Sequence, residues 1–146
     1  MTAALSWQDV EHLADALAEL TAPFHPSMIC AVARGGLVPA AMLAYRLQVI
    51  QVDAVTVDKA TGKVASGPSW IDPGARVLVV EDATESGRSL TVAAEWLRGF
   101  GCEVATCALL ARSGGVMPER YAAVVDEVPP MPWESSTPWC PVEEEA

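Results

Sequence analysis

The stretch Val77–Leu90 reads Val-Leu-Val-Val-Glu-Asp-Ala-Thr-Glu-Ser-Gly-Arg-Ser-Leu and is the most informative part of the chain. Four apolar residues indicate a buried strand, and two adjacent acids, Glu81 and Asp82, follow it. A Thr/Ser/Gly turn then leads into an amphipathic helix, whose N-terminal N–H groups suit a phosphate. Two carboxylates beside a phosphate repel it unless they bind sugar hydroxyls or a hard cation such as Mg2+. The segment therefore predicts a site for a phosphorylated sugar with magnesium.

The rest of the chain alternates between apolar strands and amphipathic helices. A first helix begins near Ser6, because Ser6 and Asp9 form a variant of the capping box. We predict strands at Met28–Ala33, Gln51–Val57, Arg76–Val80, Glu103–Leu110 and Tyr121–Val125, helices at Leu37–Leu47 and Ser89–Phe100, and a loop at Asp58–Pro73. Such alternation is typical of an α/β fold with a mostly parallel sheet covered by helices on both faces. With no linker or repeat, residues 1–146 are expected to form a single domain.

A second glycine-rich turn follows the first predicted strand. The residues Arg34, Gly35 and Gly36 come directly after that strand, and a helix with an early proline follows them. Because glycine has no side chain, this backbone can approach an anion closely, and Arg34 adds a positive charge. An ordinary strand-to-helix turn that needs glycine for its φ angles is the alternative interpretation.

Composition and charge exclude several classes of protein. The chain has 146 residues, enough for one domain with a real core, and 51% of them are hydrophobic. No apolar run reaches the roughly 18 residues of a membrane span, and the N-terminus lacks the pattern of a secretory signal, so we expect a cytoplasmic protein. The net charge of −10 argues against a nucleic-acid surface.

Cysteine and histidine provide no evident chemistry. The four cysteines are Cys30, Cys102, Cys107 and Cys140, and no two have Cys-x-x-Cys spacing. We therefore expect small buried thiols in a reducing compartment. The two histidines, at positions 12 and 25, lie near no acidic cluster, and we expect surface or structural roles for both. A Ser-His-Asp or histidine-rich metal site is improbable on these numbers.

Two motifs resemble those of type I phosphoribosyltransferases. The segment Glu81–Ser89 is similar to the motif that binds 5-phosphoribosyl-1-diphosphate (PRPP) in this family. The segment Ile29–Arg46 is similar to the pyrophosphate loop and following helix of bacterial xanthine–guanine phosphoribosyltransferases. The resemblance extends weakly from Trp7 to Trp139. It implies a single-domain type I phosphoribosyltransferase fold with a small C-terminal hood, covering about residues 112–141.

The resemblance also assigns residues to PRPP. It implies that Arg34, Gly35 and Gly36 hold the pyrophosphate, and that Glu81 and Asp82 hold the ribose hydroxyls, with Asp82 also near Mg2+. The expected PRPP-binding residues of the second motif are Glu81, Asp82, Ala83, Thr84, Glu85, Ser86, Gly87, Arg88 and Ser89. The only two lysines, Lys59 and Lys63, fall in the predicted loop, which in the family is mobile and closes over PRPP. A solvated surface loop is the alternative for both lysines.

The base pocket is expected in the C-terminal third of the chain. Arg112 stands where family members carry a lysine that donates to the 6-oxo group of the purine, and Trp133 is the candidate for stacking on the ring. Glu134 and neighbouring backbone groups are expected to contact the purine edge, and Trp139 follows in a second Pro-Trp pair. For Trp133, a hydrophobic lid or a dimer contact is the alternative.

The resemblance implies Mg2+-dependent transfer of the phosphoribosyl group to N9 of a 6-oxopurine (xanthine, guanine or hypoxanthine), as in purine salvage. Glu85 occupies the position of the family's aspartate, which shuttles a proton at N7, and is the expected catalytic residue. Since glutamate is longer and the loop with the lysines is short, a non-catalytic PRPP- or nucleotide-binding regulatory protein remains the alternative. The helix Leu37–Leu47 carries Met42, Leu43 and Tyr45, more apolar surface than one face needs, which favours a homodimer.

Overall fold

The computed structural model describes residues 3–134, and these form one α/β unit. The helices are α1 (Trp7–Thr21), α2 (Leu37–Leu47) and α3 (Arg88–Arg98), with a 3-10 turn at Ala22–Phe24. The strands are β1 (Met28–Ala33), β2 (Gln51–Asp58), β3 (Lys63–Ser66), β4 (Arg76–Thr84), β5 (Glu103–Arg112) and β6 (Arg120–Val125). Among the described helices, none combines the length and apolarity needed to cross a membrane.

The six strands form one sheet in the order β3-β2-β1-β4-β5-β6. All neighbours are parallel except β2 and β3, which are antiparallel. The chain first runs outward from β1 to β2 and then returns to place β4 on the other side of β1. In open parallel sheets, ligands bind at such a reversal, beyond the carboxyl ends of the two strands. The fold thus predicts a site at the ends of β1 and β4.

Two apolar layers cover the sheet, one on each face. Along β1, Ile29 and Ala31 belong to the layer shared with α1 and α2, whereas Met28, Cys30 and Val32 belong to the layer shared with α3. Successive side chains of a strand point to opposite faces, so both sets are buried. The near-continuous apolar sequence of β1 follows from this double burial, as the strand pattern predicted.

The single-domain α/β fold is confirmed, and the predicted bounds of β1 and α2 match the structure. The prediction of an unbroken loop at 58–73 is wrong, because Lys63–Ser66 forms β3 and pairs with β2 in a hairpin. The hairpin turn is tight: the Gly62 N–H donates to the Asp58 carbonyl oxygen at 2.8 Å, and the Ala60 N–H donates to Asp58 Oδ1 at 2.8 Å. The exposed sequence of β3 has no apolar alternation that could have revealed it.

The acids of the second motif lie inside a strand, not beyond its end. We expected the strand to stop at Val80, but β4 continues to Thr84 because β5 keeps pairing with it, Glu81 beside Ala108 and Thr84 beside Ala111. Similarly, β6 pairs with β5 in the main sheet. The segment predicted as a hood therefore includes a sheet strand, and its part after residue 134 lies outside the described residues.

The expected roles of cysteine and histidine agree with the structure where it describes them. Cys30, Cys102 and Cys107 are buried free thiols, and Cys140 lies outside the described residues. Burial raises the pKa of Cys30 to about 12 and raises the pKa of Cys107 as well, so these thiols stay protonated and unreactive at neutral pH. Both histidines are exposed.

Candidate functional site

A cleft of about 1160 Å³ opens at the carboxyl ends of β1 and β4. Two turns meet there: the one that joins β1 to α2, and the one that joins β4 to α3. Of the predicted site residues, the cleft is lined by Arg34, Gly35, Lys59, Glu81, Asp82, Ala83, Thr84, Glu85, Ser86, Gly87, Arg88, Ser89, Trp133 and Glu134. The two turns that resemble phosphate-binding loops therefore face a common cavity.

Glu81 and Asp82 are half-buried neighbours on the floor of this cleft. The Ala83 N–H donates to Asp82 Oδ1 at 2.7 Å, which fixes one carboxylate oxygen. Burial, followed by the adjacent charge of Asp82, raises the pKa of Glu81 to about 9, while Lys59 opposes the shift. Ionising both carboxyl groups at neutral pH is therefore unfavourable in the free protein. A bound cation, or hydrogen bonds from sugar hydroxyls, would reduce the repulsion between two carboxylates.

The turn at Arg34–Gly36 and the acid pair touch each other. A Cβ placed on Gly35 would overlap the Asp82 carboxylate, with its carbon only 2.6 Å away. Gly36, which we expected to bind PRPP, does not line the cleft: its Cα faces the backbone of Val32 and Val80, inside the sheet. The peptide bond between Ala33 and Arg34 is cis. Position 35 requires glycine because a side chain there would overlap the Asp82 carboxylate. Position 36 requires glycine because a side chain there would overlap the backbone of the sheet.

The turn between β4 and α3 presents a helix N-terminus to the cleft. Gly87 precedes α3 with φ of +81°, and as the N-cap residue it has no side chain that could accept from the N–H groups of the helix. The Arg88 N–H donates to Ser86 Oγ at 3.2 Å. The open N–H groups of the first turn and the positive end of the helix dipole favour an anion here.

A second loop, between β5 and β6, supports this turn from behind. The Val116 N–H donates to the Ser86 carbonyl oxygen at 2.8 Å. A Cβ on Gly115 would overlap the Glu85 carbonyl oxygen, and a Cβ on Gly87 would overlap Val116. This loop holds the backbone of the turn in place, and the sequence motif did not indicate it.

Three cationic side chains, Arg34, Lys59 and Arg88, reach the cleft from different elements. None forms an ion pair within the described residues. The guanidinium of Arg88 lies against the hairpin turn, where a Cβ on Gly62 would be 2.7 Å from its Nη2. The other predicted lysine, Lys63, is exposed and does not line the cleft. The cleft thus combines uncommitted positive charges with a carboxylate pair.

One end of the cleft is formed by the segment after β6. It is lined by Val128, Met131, Trp133 and Glu134, of which Met131 is buried in the core. Arg112, predicted to contact the base, is exposed at the end of β5 and does not line the cleft. Trp139 lies outside the described residues. Apart from Glu134, the residues that line this end are therefore apolar.

Glu85 lies on the turn between the acid pair and α3, exposed and lining the cleft. Its carboxylate accepts no hydrogen bond from the described residues, so it remains available to a ligand. Sequence reasoning also missed Thr56, which lines the cleft at the end of β2, beside Ala33 of β1. A polar residue near the carboxyl end of a central strand was the available signal.

Metal binding is restricted by the ligands present. The described residues contain no cluster of three or more histidine, cysteine or acidic side chains suited to a metal ion. The carboxylates of Glu81 and Asp82 are the oxygen ligands that Mg2+ accepts, and Mg2+ commonly uses one or two carboxylates together with substrate phosphates. The acid pair therefore fits Mg2+ that arrives with a phosphorylated ligand.

Residues 3–139 match the family model described as a phosphoribosyl transferase domain. The chain therefore belongs to the type I phosphoribosyltransferase family, as the two motifs indicated. No curated protein sequence gives a significant match.

The fold is similar to that of several solved structures. A purine phosphoribosyltransferase from Pyrococcus horikoshii Ot3 is 28% identical, with a TM-score of 0.82 over 97% of each chain. The Helicobacter pylori xanthine-guanine-hypoxanthine phosphoribosyltransferase is 18% identical, with a TM-score of 0.82 over 90% of this chain and 92% of the other. A hypothetical protein from Neisseria gonorrhoeae with bound ppGpp is 24% identical, with a TM-score of 0.72 over 93% and 92%.

Proposed function

We propose that this protein transfers the 5-phosphoribosyl group of PRPP to N9 of a 6-oxopurine and releases pyrophosphate. The observation that carries the proposal is the contact between the two loops: Gly35 of the first lies against the Asp82 carboxylate beside the second. A ligand with a phosphate at one end and a pyrophosphate at the other would span both loops across the acid pair. The similarity to the Pyrococcus purine enzyme, which extends over nearly the whole chain, supports the choice of a purine.

Each part of PRPP has a proposed position. The N-terminus of α3, with Ser86, Gly87, Arg88 and Ser89, would hold the 5′-phosphate. Glu81 and Asp82 would accept hydrogen bonds from the ribose hydroxyls, and Asp82 would also bind Mg2+. Bound Mg2+ would neutralise charge on the pyrophosphate and so assist its departure. Arg34 and Lys59 would stabilise the same developing charge from the protein side.

The transfer itself breaks one bond and forms another. The bond between ribose C1 and the pyrophosphate oxygen breaks, and its electron pair leaves with the pyrophosphate. N9 of the purine forms the new bond to C1. The base then loses a proton, which Glu85 would accept at N7 as a general base. Trp133 would stack on the purine ring, and Glu134 would lie near its edge.

The second candidate is a regulatory protein that binds PRPP or a nucleotide without catalysis. Two observations favour this candidate. A short, tightly hydrogen-bonded hairpin lies where the family has a mobile loop, and glutamate occupies position 85. The solved Neisseria structure of similar fold has bound ppGpp, a guanine nucleotide with a diphosphate on both the 3′ and the 5′ oxygen of its ribose. A cleft with three uncommitted cations suits such a ligand equally well.

Incubation with PRPP, Mg2+ and a mixture of nucleobases separates the two candidates. The transferase proposal predicts a new nucleoside monophosphate and one pyrophosphate for each nucleotide formed, detected by chromatography. Separate incubations with guanine, xanthine, hypoxanthine and adenine then identify the base. If PRPP binds by calorimetry and no base is converted, the regulatory candidate replaces the transferase.

We also propose a homodimer that uses the end of α2. Leu43 of this helix is buried in the core and so contributes nothing to a partner, whereas Tyr45 is 87% exposed and Ile50, just before β2, is 99% exposed. A contiguous exposed apolar patch at this end of α2 would favour association. Analytical ultracentrifugation of the wild type and of Tyr45→Ser tests the proposal, which predicts a dimer that the substitution weakens.

A further inference from the structure

The two ends of the described chain meet beside the cleft. The Leu5 N–H donates to the Pro130 carbonyl oxygen at 2.9 Å, which joins the segment before α1 to the segment after β6. Next to this bond, the rings of Trp7 and Trp133 lie with their centroids 5.8 Å apart and their planes tilted by 51°. This spacing is that of a favourable aromatic pair. Trp133 lines the cleft, and Trp7 does not.

The position of Trp7 is fixed by the start of α1. Trp7 is the first residue of the helix, and the residue before it closes a capping box: the Asp9 N–H donates to Ser6 Oγ at 3.0 Å, and the Ser6 N–H donates to Asp9 Oδ2 at 2.9 Å. The same helix is anchored in the core by Val10. The backbone that carries Trp7 therefore has little freedom, although 54% of the residue is exposed.

Trp133 has less support from its own backbone. It lies after the last strand, in a segment of bends and turns, and no helix or strand of the described chain contains it. Burial of Met131 and the bond between Leu5 and Pro130 hold the backbone nearby. The tilt of the indole ring is set by its neighbours, since an aromatic side chain rotates about two bonds. Among the described residues, the aromatic ring that packs against Trp133 is that of Trp7.

We infer that Trp7 is a positioning residue for the end of the cleft that is lined by Trp133, called here the base end. Trp7 holds the Trp133 ring in the orientation that stacks on a flat heteroaromatic base. This inference rests on the proposed function, because it takes the base end as given. It adds that the first residue of α1, remote in sequence from both loop motifs, determines how much the base contributes to affinity. Trp7 acts through Trp133 and has no contact with the ligand.

Two ligands that differ only in the presence of the base separate the effect of Trp7 on base binding from any effect on sugar and phosphate binding. GMP and ribose 5-phosphate share the sugar and phosphate, and the difference in their affinities measures what the base contributes. Calorimetry is performed with the wild type, Trp7→Ala, Trp7→Phe, Trp133→Ala and the double variant. Trp70→Ala is the control, because Trp70 is also an exposed tryptophan, at 69%, and lies outside the cleft lining. Thermal unfolding of each variant shows whether it is folded.

The inference predicts that Trp7→Ala weakens the affinity for GMP by about three- to tenfold, the scale of an aromatic pair. The affinity for ribose 5-phosphate should not change. Trp7→Phe recovers most of the loss, and Trp70→Ala behaves as the wild type. The double variant binds GMP no more weakly than Trp133→Ala alone, because Trp7 acts only through that ring.

Three results would overturn the inference. Additive losses in the double variant would mean that the two tryptophans act independently. Equal weakening of both ligands by Trp7→Ala would indicate a general structural role. A wild type that binds ribose 5-phosphate as tightly as GMP would remove the base end itself, while the phosphoribosyl part of the proposed function would still stand. Failure of the proposed function is seen separately, as absence of nucleotide formation from PRPP.

Discussion

Gly35 and Asp82 lie in direct contact across the cleft, and any side chain at position 35 would overlap the Asp82 carboxylate. The pair joins the loop after β1 to the acids of β4, two segments about a third of the chain apart in sequence. We predict that Gly35→Ala destabilises the fold by about 1–3 kcal/mol, the usual cost of overpacking, and that it displaces this carboxylate and so weakens Mg2+-dependent PRPP binding. Calorimetric titration with PRPP measures the effect.

Gly74→Ala is the matched control for that substitution. Gly74 also lies in a loop, and the nearest atom to an added Cβ is 3.4 Å away, in Asp72. This variant should bind PRPP as the wild type does. If both variants bound PRPP normally, the contact would have no role in ligand binding.

The contact between the hairpin and Arg88, which follows the turn between β4 and α3, is tested at Gly62. An added Cβ there would meet Arg88 Nη2 at 2.7 Å, at the end of a flexible side chain, so Gly62→Ala should displace the guanidinium and leave the fold intact. Gly101→Ala is the control, since Gly101 also has a positive φ, +84°, and has nothing within 4 Å of an added Cβ. Both variants should lose about 1 kcal/mol of stability from backbone strain.

Only Gly62→Ala should also weaken PRPP binding, because only this substitution displaces Arg88 from its position in the cleft. Thermal unfolding and PRPP titration, performed on both variants, separate the two effects. An equal PRPP affinity in the two variants would show that the position of Arg88 is irrelevant to binding.

The acid pair predicts a pH-dependent stability. The pKa of Glu81 is raised to about 9 in the folded protein, from an ordinary value of 4.5, so between these values the folded state binds more protons than the unfolded state. The free energy of unfolding must therefore fall as pH rises through that window. Glu81→Gln removes this contribution and should be more stable than the wild type near the upper end, by about 1–3 kcal/mol, the range for a poorly compensated buried polar group.

Thermal unfolding at about pH 5 and about pH 8.5, in the absence of ligands, measures the difference. Glu19→Gln serves as the control, since Glu19 is exposed and forms no ion pair in the described part of the chain. The prediction fails if the advantage of Glu81→Gln is the same at both pH values.

The proton transfer assigned to Glu85 separates the catalytic from the regulatory candidate. Glu85→Gln should cut turnover by roughly 10²–10⁴, the usual contribution of a positioned acid–base group, with PRPP affinity nearly unchanged. Glu85→Asp should retain or raise activity, because it restores the residue typical of the family. Steady-state kinetics with the base identified above provide the measurement, and undiminished turnover in Glu85→Gln would exclude the shuttle.

The sequence was sufficient to predict the central part of the fold. Strands such as Met28–Ala33 are apolar throughout and are followed by glycine turns and amphipathic helices, a local pattern that leaves few alternatives. The hairpin was missed because Lys63–Ser66 is exposed on the outer edge of the sheet, where no burial selects an apolar pattern. Strand β4 proved longer than predicted because β5 continues to pair with it beyond the acids.

Much of the candidate site could also be predicted, since one continuous motif supplies the acids and the turn between β4 and α3. The direction of individual side chains could not. Gly36 faces the sheet, and Lys63 and Arg112 do not line the cleft, because strand register and the hairpin turn decide which residues reach it. Likewise, the pairing of Trp7 with Trp133 depends on contacts between the two ends of the chain, which no local pattern encodes.

The central claim is that PRPP binds across the acid pair of β4. Calorimetric titration of PRPP with Mg2+ into the wild type and into the double variant Glu81→Gln with Asp82→Asn tests it most directly, because both replacements keep the size of the side chain and remove the carboxyl group. We predict PRPP binding to the wild type and its loss in the double variant, with thermal unfolding showing that the variant is folded. Unchanged PRPP affinity in the folded double variant would contradict the account.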